Sequence, residues 1–355
     1  MVALRPVAED GHLEAPEAAV RGRRLVIARR VALVIWVCVL VCRSWTSGLA
    51  LNRELLLVYI CTGLIAASIG RRRLFLVLRD WLPFAAILLV YDFSRGAATL
   101  LGAATVWEQQ PKMDRWLFLG TEPTVWLQEH LKHAHPPWWE VLTSTVYMSL
   151  FVAPYAVGGV AWLQSRSSWR AFVRRFVPLW LVALIFYAVI PAAPPWAASR
   201  CTPAEVAGGP SHPACMARSG AQLADGGLLG AMHGSQTGAH DYVERISTRG
   251  WATLHLNAAR ALINEGQASV NLVAAMPSVH AALSAMVALF LWRKVHFAWR
   301  PVLVGYVVIM AFTLVYSAEH YVVDILAGWA LAAIVAVMVN RLEVRAPAGM
   351  VAVRR

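Results

Sequence analysis

The chain has 355 residues, is 59% hydrophobic, contains 16 tryptophans and carries a net charge of +12. A mean hydropathy of +0.55 lies outside the range of a soluble domain of this length and excludes both an ordinary cytosolic enzyme and a disordered chain. The positive charge does not mark a nucleic-acid binder, because the basic residues gather in short clusters between apolar runs.

Residues 1–30 place Glu9, Asp10, Glu14 and Glu17 ahead of an arginine cluster, and no small-residue cleavage pattern follows the first apolar run. They read as an uncleaved cytoplasmic tail, not a signal peptide. A bilayer core takes about 20 apolar residues per helix. Eight candidate spans follow, at about 31–50, 54–70, 74–94, 139–163, 172–191, 277–292, 301–317 and 320–340. The predicted fold is an all-α integral membrane protein with about eight transmembrane helices. Two accessory spans occupy 31–73, a six-helix core occupies 74–340 with outer connections at 102–138 and 192–276, and 341–355 form a second tail.

Arginine clusters at 21–30, 71–73, 166–175 and 293–300, followed by Arg341 and Arg345, alternate with poorly basic connections. By the positive-inside rule both termini are cytoplasmic, and the 102–138 and 192–276 connections lie on the opposite side. The Ala, Arg and Val bias points to a bacterial plasma membrane. The stretch LFLGTEPTVWLQEHL, followed by HAHPPWWE, mixes aromatic and polar residues as a segment lying in the membrane interface does, and is placed to roof a site. The 192–276 connection begins PAAPPWAASR, turns Gly-rich and ends in an amphipathic helix at about 251–265; its early half is expected to be the least ordered part of the chain. Cys38, Cys42 and Cys61 lie within spans and read as packing residues. Cys201 and Cys215 fall in the outer connection, on the oxidising side, and are expected to form a disulfide; the alternative is two free thiols in a mobile segment.

Ionisable side chains are costly in apolar spans, and two segments carry them: MPSVHAALS at 276–284 and YSAEHYVVDILAG at 316–328. On the second, Ser317, His320 and Asp324 fall at i, i+3 and i+7 of a helix, so all three share a face and the aspartate can orient the imidazole. On the first, Pro277 suits the opening position of a helix, with Ser278 and His280 in a first turn whose amides favour an anion such as phosphate. Two histidines and a carboxylate suit nucleophile-and-acid catalysis or a metal site. The metal reading needs a third ligand, for which only His233, His240 and His255 are on offer. A third reading makes them interfacial histidines satisfied by water.

PSVH followed by SAEHYVVD resembles the second and third signature motifs of the type 2 phosphatidic acid phosphatase superfamily, whose membrane members are six-helix lipid phosphatases and phosphotransferases; the similarity runs from about 88 to 335. The resemblance implies that His320 attacks phosphorus, His280 is the general acid, Asp324 aligns the nucleophile and Ser278 binds a phosphoryl oxygen. It implies no metal and no other cofactor. Three family cations are absent. Leu314 stands where an arginine precedes the nucleophile, and Tyr187 and Pro194 stand where the first motif has its Lys and Arg. That pattern, with YDFSRG at 91–96, PTVWLQ at 123–128 and PAAPPW at 191–196, is similar to the subgroup containing inositol phosphorylceramide synthase and its bacterial relatives.

A phosphoryl group in a site of lowered dielectric still needs charge compensation. Arg95 is the first candidate, unless it only pairs with Asp92; Arg245, Arg249 and Arg260 follow, with Tyr187 and Ser317 as hydrogen-bond donors. Trp138, Trp139 and Trp196 read as interface anchors. The expected activity is transfer of a phosphorylated head group from a phospholipid donor to a lipid or saccharide hydroxyl. The alternatives are a lipid or isoprenoid phosphate phosphatase and a non-catalytic lipid-binding or transport protein.

Overall fold

The computed structural model describes residues 14–47, 53–70, 75–83, 86, 101–223, 225–233, 236, 238–254 and 272–345. The chain divides into two compact units, Met1–Ala85 and Ala86–Arg355. In the first, helix α1 (Glu14–Ser47) runs without Pro or Gly from Arg23 onward and packs on α2 (Arg53–Ser68). The Trp36 indole donates to the Tyr59 carbonyl and to Thr62 Oγ1, both at 3.1 Å. Gly63 makes room for that ring, since a Cβ there would lie 2.7 Å from it. The stretch Gly22–Arg43, with mean hydropathy 2.5, is long and apolar enough to cross a bilayer.

The second unit contains two short helices on the 102–138 connection, α3 (Gln109–Leu117) and α4 (Pro123–Leu131), then α5 (Trp138–Ser149), α6 (Ala153–Gln164) and α7 (Arg166–Val189). After the long second connection come α8 (Val279–Leu291), α9 (Arg300–Tyr316) and α10 (Val322–Arg345). The all-α membrane architecture expected from composition is what the described residues show. Four helices among them are long and apolar enough to span a membrane, or five if α5 and α6 form one bent span. Not every one of the eight runs forms a helix of that length among the described residues, for identifiable reasons. The runs at 54–70 and 277–292 form helices of 16 and 13 residues, about 24 and 20 Å long at 1.5 Å per residue. The expected span at 74–94 lies partly outside the described residues.

The run at 139–163, expected to be continuous, bends by 53° between α5 and α6. Pro154 explains the break, because it offers no N–H to the carbonyl of Leu150 and its ring crowds that group. Tight turns fill the gap, with the amides of Leu150 and Phe151 bonding to Tyr147 and Met148.

Helices α8 and α10, which carry the two motifs, pack closely on each other. Gly328 permits this, since a Cβ there would lie 2.4 Å from the carbonyl oxygen of Ser278. Segments around Val106, Ala192 and Ala274 lie side by side through isolated bridges and bind the start and end of the long connection to the first one. The early half of the 192–276 connection is not loose. Trp196, Ala197, Ala198, Cys201, Cys215 and Met216 are buried in one apolar cluster with Ala318 and Tyr321. A disulfide joins Cys201 to Cys215 with Cα atoms 5.2 Å apart. Glycine-rich composition suggested disorder; here the glycines serve tight turns over a packed floor. The amphipathic helix expected at 251–265 begins as a 3-10 turn, Arg249–Leu254, and its remainder lies outside the described residues.

Candidate active site

Ser278 caps α8: its Oγ accepts from the Ala281 amide at 3.2 Å, and its own N–H donates to the Asp324 carbonyl at 2.9 Å. Pro277 therefore precedes the cap instead of opening the helix. Its carbonyl accepts the Tyr187 hydroxyl proton at 2.9 Å, so Tyr187 secures the entry to α8 and does not present that proton to a ligand. His280 is the second residue of α8, with Tyr147 of α5 stacked on its ring at 4.8 Å and Phe151 edge-on at 6.2 Å.

Ser317, His320 and Asp324 do not share one helix. Helix α9 ends at Tyr316, the chain turns through Ser317–Tyr321, and α10 starts at Val322. Ala318 takes a left-handed φ of 60°, unusual for a residue with a Cβ. The turn is held by hydrogen bonds from the Glu319 and His320 amides to the Leu314 carbonyl and from the Trp196 amide to the Ala318 carbonyl, at 3.0 to 3.2 Å. No proline or glycine in YSAEHYVVD announced it.

Tyr321 then occupies the position before α10 with no side chain to cap it. Asp324 Oδ2 accepts from the Tyr321 amide at 3.0 Å, and Asp114 of α3 accepts from the Val322 and Val323 amides at 2.8 and 3.0 Å. Two carboxylates thus fill the positive end of the helix that follows the His320 turn. Burial raises Asp114 to about 6 against those two amides, with the Asp324 charge adding to the rise. Nearby, Glu122 caps α4 through the Val125 amide at 2.7 Å, and burial together with Asp114 raises it to about 7.

The His280 and His320 ring centroids are 5.6 Å apart at an interplanar angle of 56°. His320 Nδ1 faces Asp324 Oδ2 at 3.7 Å, longer than a hydrogen bond, and both residues are buried. Beside them, Arg245 forms a two-pronged pair with Glu319, at 2.9 and 2.8 Å, lies 5.0 Å from the Trp196 ring and hydrogen-bonds Tyr147. Burial alone would raise Glu319, but the Arg245 pairing and a Ser247 hydrogen bond outweigh it and hold the carboxylate below its usual range. His280, Tyr147, Arg245, Glu319 and His320 therefore form one continuous group.

The other expected ligands fall elsewhere. Arg249 grips Glu140 with two nitrogens and the His133 carbonyl with a third, and Tyr316 donates to the same carboxylate at 2.6 Å; this clamp ties the 249–254 turn to α5 and α9. Ser317 Oγ is buried and makes no hydrogen bond among the described residues. Arg95, its neighbour Asp92, Arg260 and His255 lie outside the described residues. Among the described residues no three His, Cys, Asp or Glu side chains converge as metal ligands.

Sequence reading passed over the residues that fasten the roof. Gln128 donates to the carbonyls of Glu244 and Tyr316, both at 2.8 Å, and accepts from the Glu244 amide at 2.9 Å. Lys132 is buried against Glu244 at 3.1 Å and the Tyr242 carbonyl. Gln128 lies in the stretch read as an interfacial segment and Asp114 and Lys132 lie beside it, yet each is buried against a partner more than 100 residues away. An apolar groove of about 580 Å³ runs between α4, α9 and α10, lined by Trp126, Phe312, Val315, Val322, Ile325 and Trp329, and so borders both sides of the His320 turn.

A family model described as the PAP2 superfamily matches residues 111–338. No curated protein and no solved structure matches the chain. The matched stretch runs from α3 into α10 and holds both histidine segments, Asp114 and the outer roof. Family match and apolar helices together make this chain an integral membrane protein belonging to the PAP2 superfamily, whose activity is phosphatase-like lipid phosphoryl transfer or hydrolysis.

Proposed function

We propose that the protein is a phosphotransferase that moves a phosphorylated head group, such as inositol phosphate, from a phospholipid to a lipid or saccharide hydroxyl through a phosphohistidine on His320. The observation that carries this reading is the pair of imidazoles 5.6 Å apart with Asp324 behind Nδ1 of one of them. With Nδ1 turned to the carboxylate, His320 Nε2 is the attacking atom. It forms a P–N bond as the bond from phosphorus to the diacylglycerol oxygen breaks, and protonated His280 gives that oxygen its proton. Neutral His280 then takes the proton of the acceptor hydroxyl, whose oxygen attacks phosphorus as the P–N bond breaks. Protons and charge return to their starting state, and no metal enters the cycle.

Two further features support the reading. The groove beside the His320 turn suits an acyl chain and leaves a head group at the histidines. The positions of the family's absent cations, Leu314, Tyr187 and Pro194, favour a phosphodiester, which carries less charge than a monoester or diphosphate. The same positions motivate the likeness to inositol phosphorylceramide synthase. On this proposal both termini are cytoplasmic, the 74–340 core is catalytic, the 31–73 helices are accessory, and the site faces the extracytoplasmic side of a bacterial plasma membrane. The family match equally favours the phosphatase alternative, in which water replaces the acceptor. Purified protein given labelled phosphatidylinositol, with and without candidate acceptors, distinguishes them: label should pass to an acceptor, and label released only as free phosphate or inositol phosphate would refute the transferase.

A further inference from the structure

Arg200 stands out among the charged groups of the 192–276 connection. It follows the Pro195–Ala198 turn, and its guanidinium carbon lies 5.2 Å from the Trp196 ring, the ring that Arg245 also approaches at 5.0 Å. Its Nη1 donates to the Met216 carbonyl at 2.8 Å, while its Nε is buried with no hydrogen-bond partner among the described residues. The Arg245 guanidinium repels it, and among the described residues it forms no ion pair with a carboxylate. Glu205, close in sequence, is taken by Arg218 and Thr202. Burial and the Arg245 charge hold Arg200 below the ordinary arginine value.

The segment that carries it is fixed to the nucleophile turn. The Trp196 amide donates to the Ala318 carbonyl at 3.0 Å, two residues before His320. From the other side, Cys201 is bonded to Cys215, and Arg218 donates to the Arg200 carbonyl at 2.8 Å. The balance of charge is then informative. Arg245 is neutralised by Glu319, whereas Arg200 is a partly buried cation with no carboxylate partner among the described residues, an arrangement that an anion would complete.

Resting on the phosphoryl-transfer reading above, we infer that Arg200 is the cation that binds the substrate phosphate here, and that its single uncompensated charge selects a singly charged phosphodiester. It would act from the disulfide-tied roof, four residues beyond Trp196, in place of the cations absent at Tyr187, Pro194 and Leu314.

The test is binding, in the full-length protein purified in detergent and carrying His320→Asn so that nothing turns over. The probes are dihexanoyl phosphatidylinositol and soluble glycerophosphoinositol. Arg200→Gln keeps the stem on Trp196 and a donor for Met216, and should weaken binding about tenfold or more. Arg200→Lys, which keeps the charge without the fork, should fall between the two. Weakening of both probes assigns the site to the phosphodiester itself, and weakening of the lipid alone assigns it to a membrane head group. Equal affinities in the parent and Arg200→Gln, or no binding of either probe by the parent, would overturn the inference. Because the readout needs no turnover, a protein that binds through Arg200 but transfers nothing would end the transferase reading and leave this site standing.

Discussion

Asp114 and Val322 are joined by a 2.8 Å hydrogen bond from amide to carboxylate across 208 residues of chain, and the partner oxygen of Asp114 takes the next amide, Val323, at 3.0 Å. A helix on the 102–138 connection thereby sets where α10 begins, and so where His320 and Asp324 stand. Removing the carboxylate in Asp114→Ala leaves two buried amides unsatisfied and should cost about 1 to 2 kcal/mol of stability. Misplacing His320 by a fraction of an ångström should lower kcat on the order of tenfold to a hundredfold. Thermal melts and steady-state turnover of the variant check both, and an active variant with unchanged melting would show that Asp114 positions nothing.

The Arg245–Glu319 pair, its carboxylate buried and its guanidinium half-buried, lies beside both histidines. Breaking one side leaves a charge in a poorly solvated place, so Arg245→Leu and Glu319→Leu should each destabilise by about 3 to 5 kcal/mol. The double variant should recover much of that loss, because it removes both charges together. Comparing the three melting temperatures measures the coupling; two single losses that simply add would mean the pair contributes no mutual stabilisation.

Glu122 gives a dependence on pH with a defined sign. Its folded pKa of about 7 lies above its ordinary 4.5, so between those values the folded chain holds a proton that the unfolded chain has released. Stability from this group is therefore greatest below pH 4.5 and falls as pH rises to about 7, by on the order of 3 kcal/mol. Glu122→Gln keeps the Val125 cap without the buried charge. Its melting temperature should match the parent near pH 4.5 and exceed it at pH 8; parallel curves would contradict the assignment.

Gly328 meets the Ser278 carbonyl with no room for a methyl group. Gly328→Ala should push α10 off the start of α8, separate the two imidazoles and lower activity by about tenfold or more. The position faces backbone, not a movable side chain, so a fully active alanine variant would mean that the helices can part without harm to the chemistry.

The parts of the site that are local in sequence were the parts that could be read from it. His280 and His320 were legible because each lies in a polar group beside an apolar run, where an ionisable residue is costly. The geometry joining them was not. The interruption after Tyr316 depends on Ala318 in a left-handed conformation, supported by the Trp196 amide from another connection. Helical spacing from Ser317 to Asp324 was a reasonable pattern for a continuous helix, and tertiary hydrogen bonding overrides it. Asp114, Gln128 and Lys132 carried no sign of their partners, since those lie more than 100 residues away. The 139–163 run contained its own warning in Pro154, and composition outweighed it. Glycine content misled in the 192–230 stretch because the same residue that loosens an unpacked chain also permits tight turns in a packed one.

The most direct measurement is the trapping of phosphorus on the protein. Purified enzyme mixed with phosphate-labelled phosphatidylinositol and quenched in alkali within one turnover should carry acid-labile label on the peptide that contains His320, and His320→Asn should carry none. Label on His280 instead, or continued release of labelled head group by His320→Asn at the parental rate, would contradict the assignment of His320 as nucleophile.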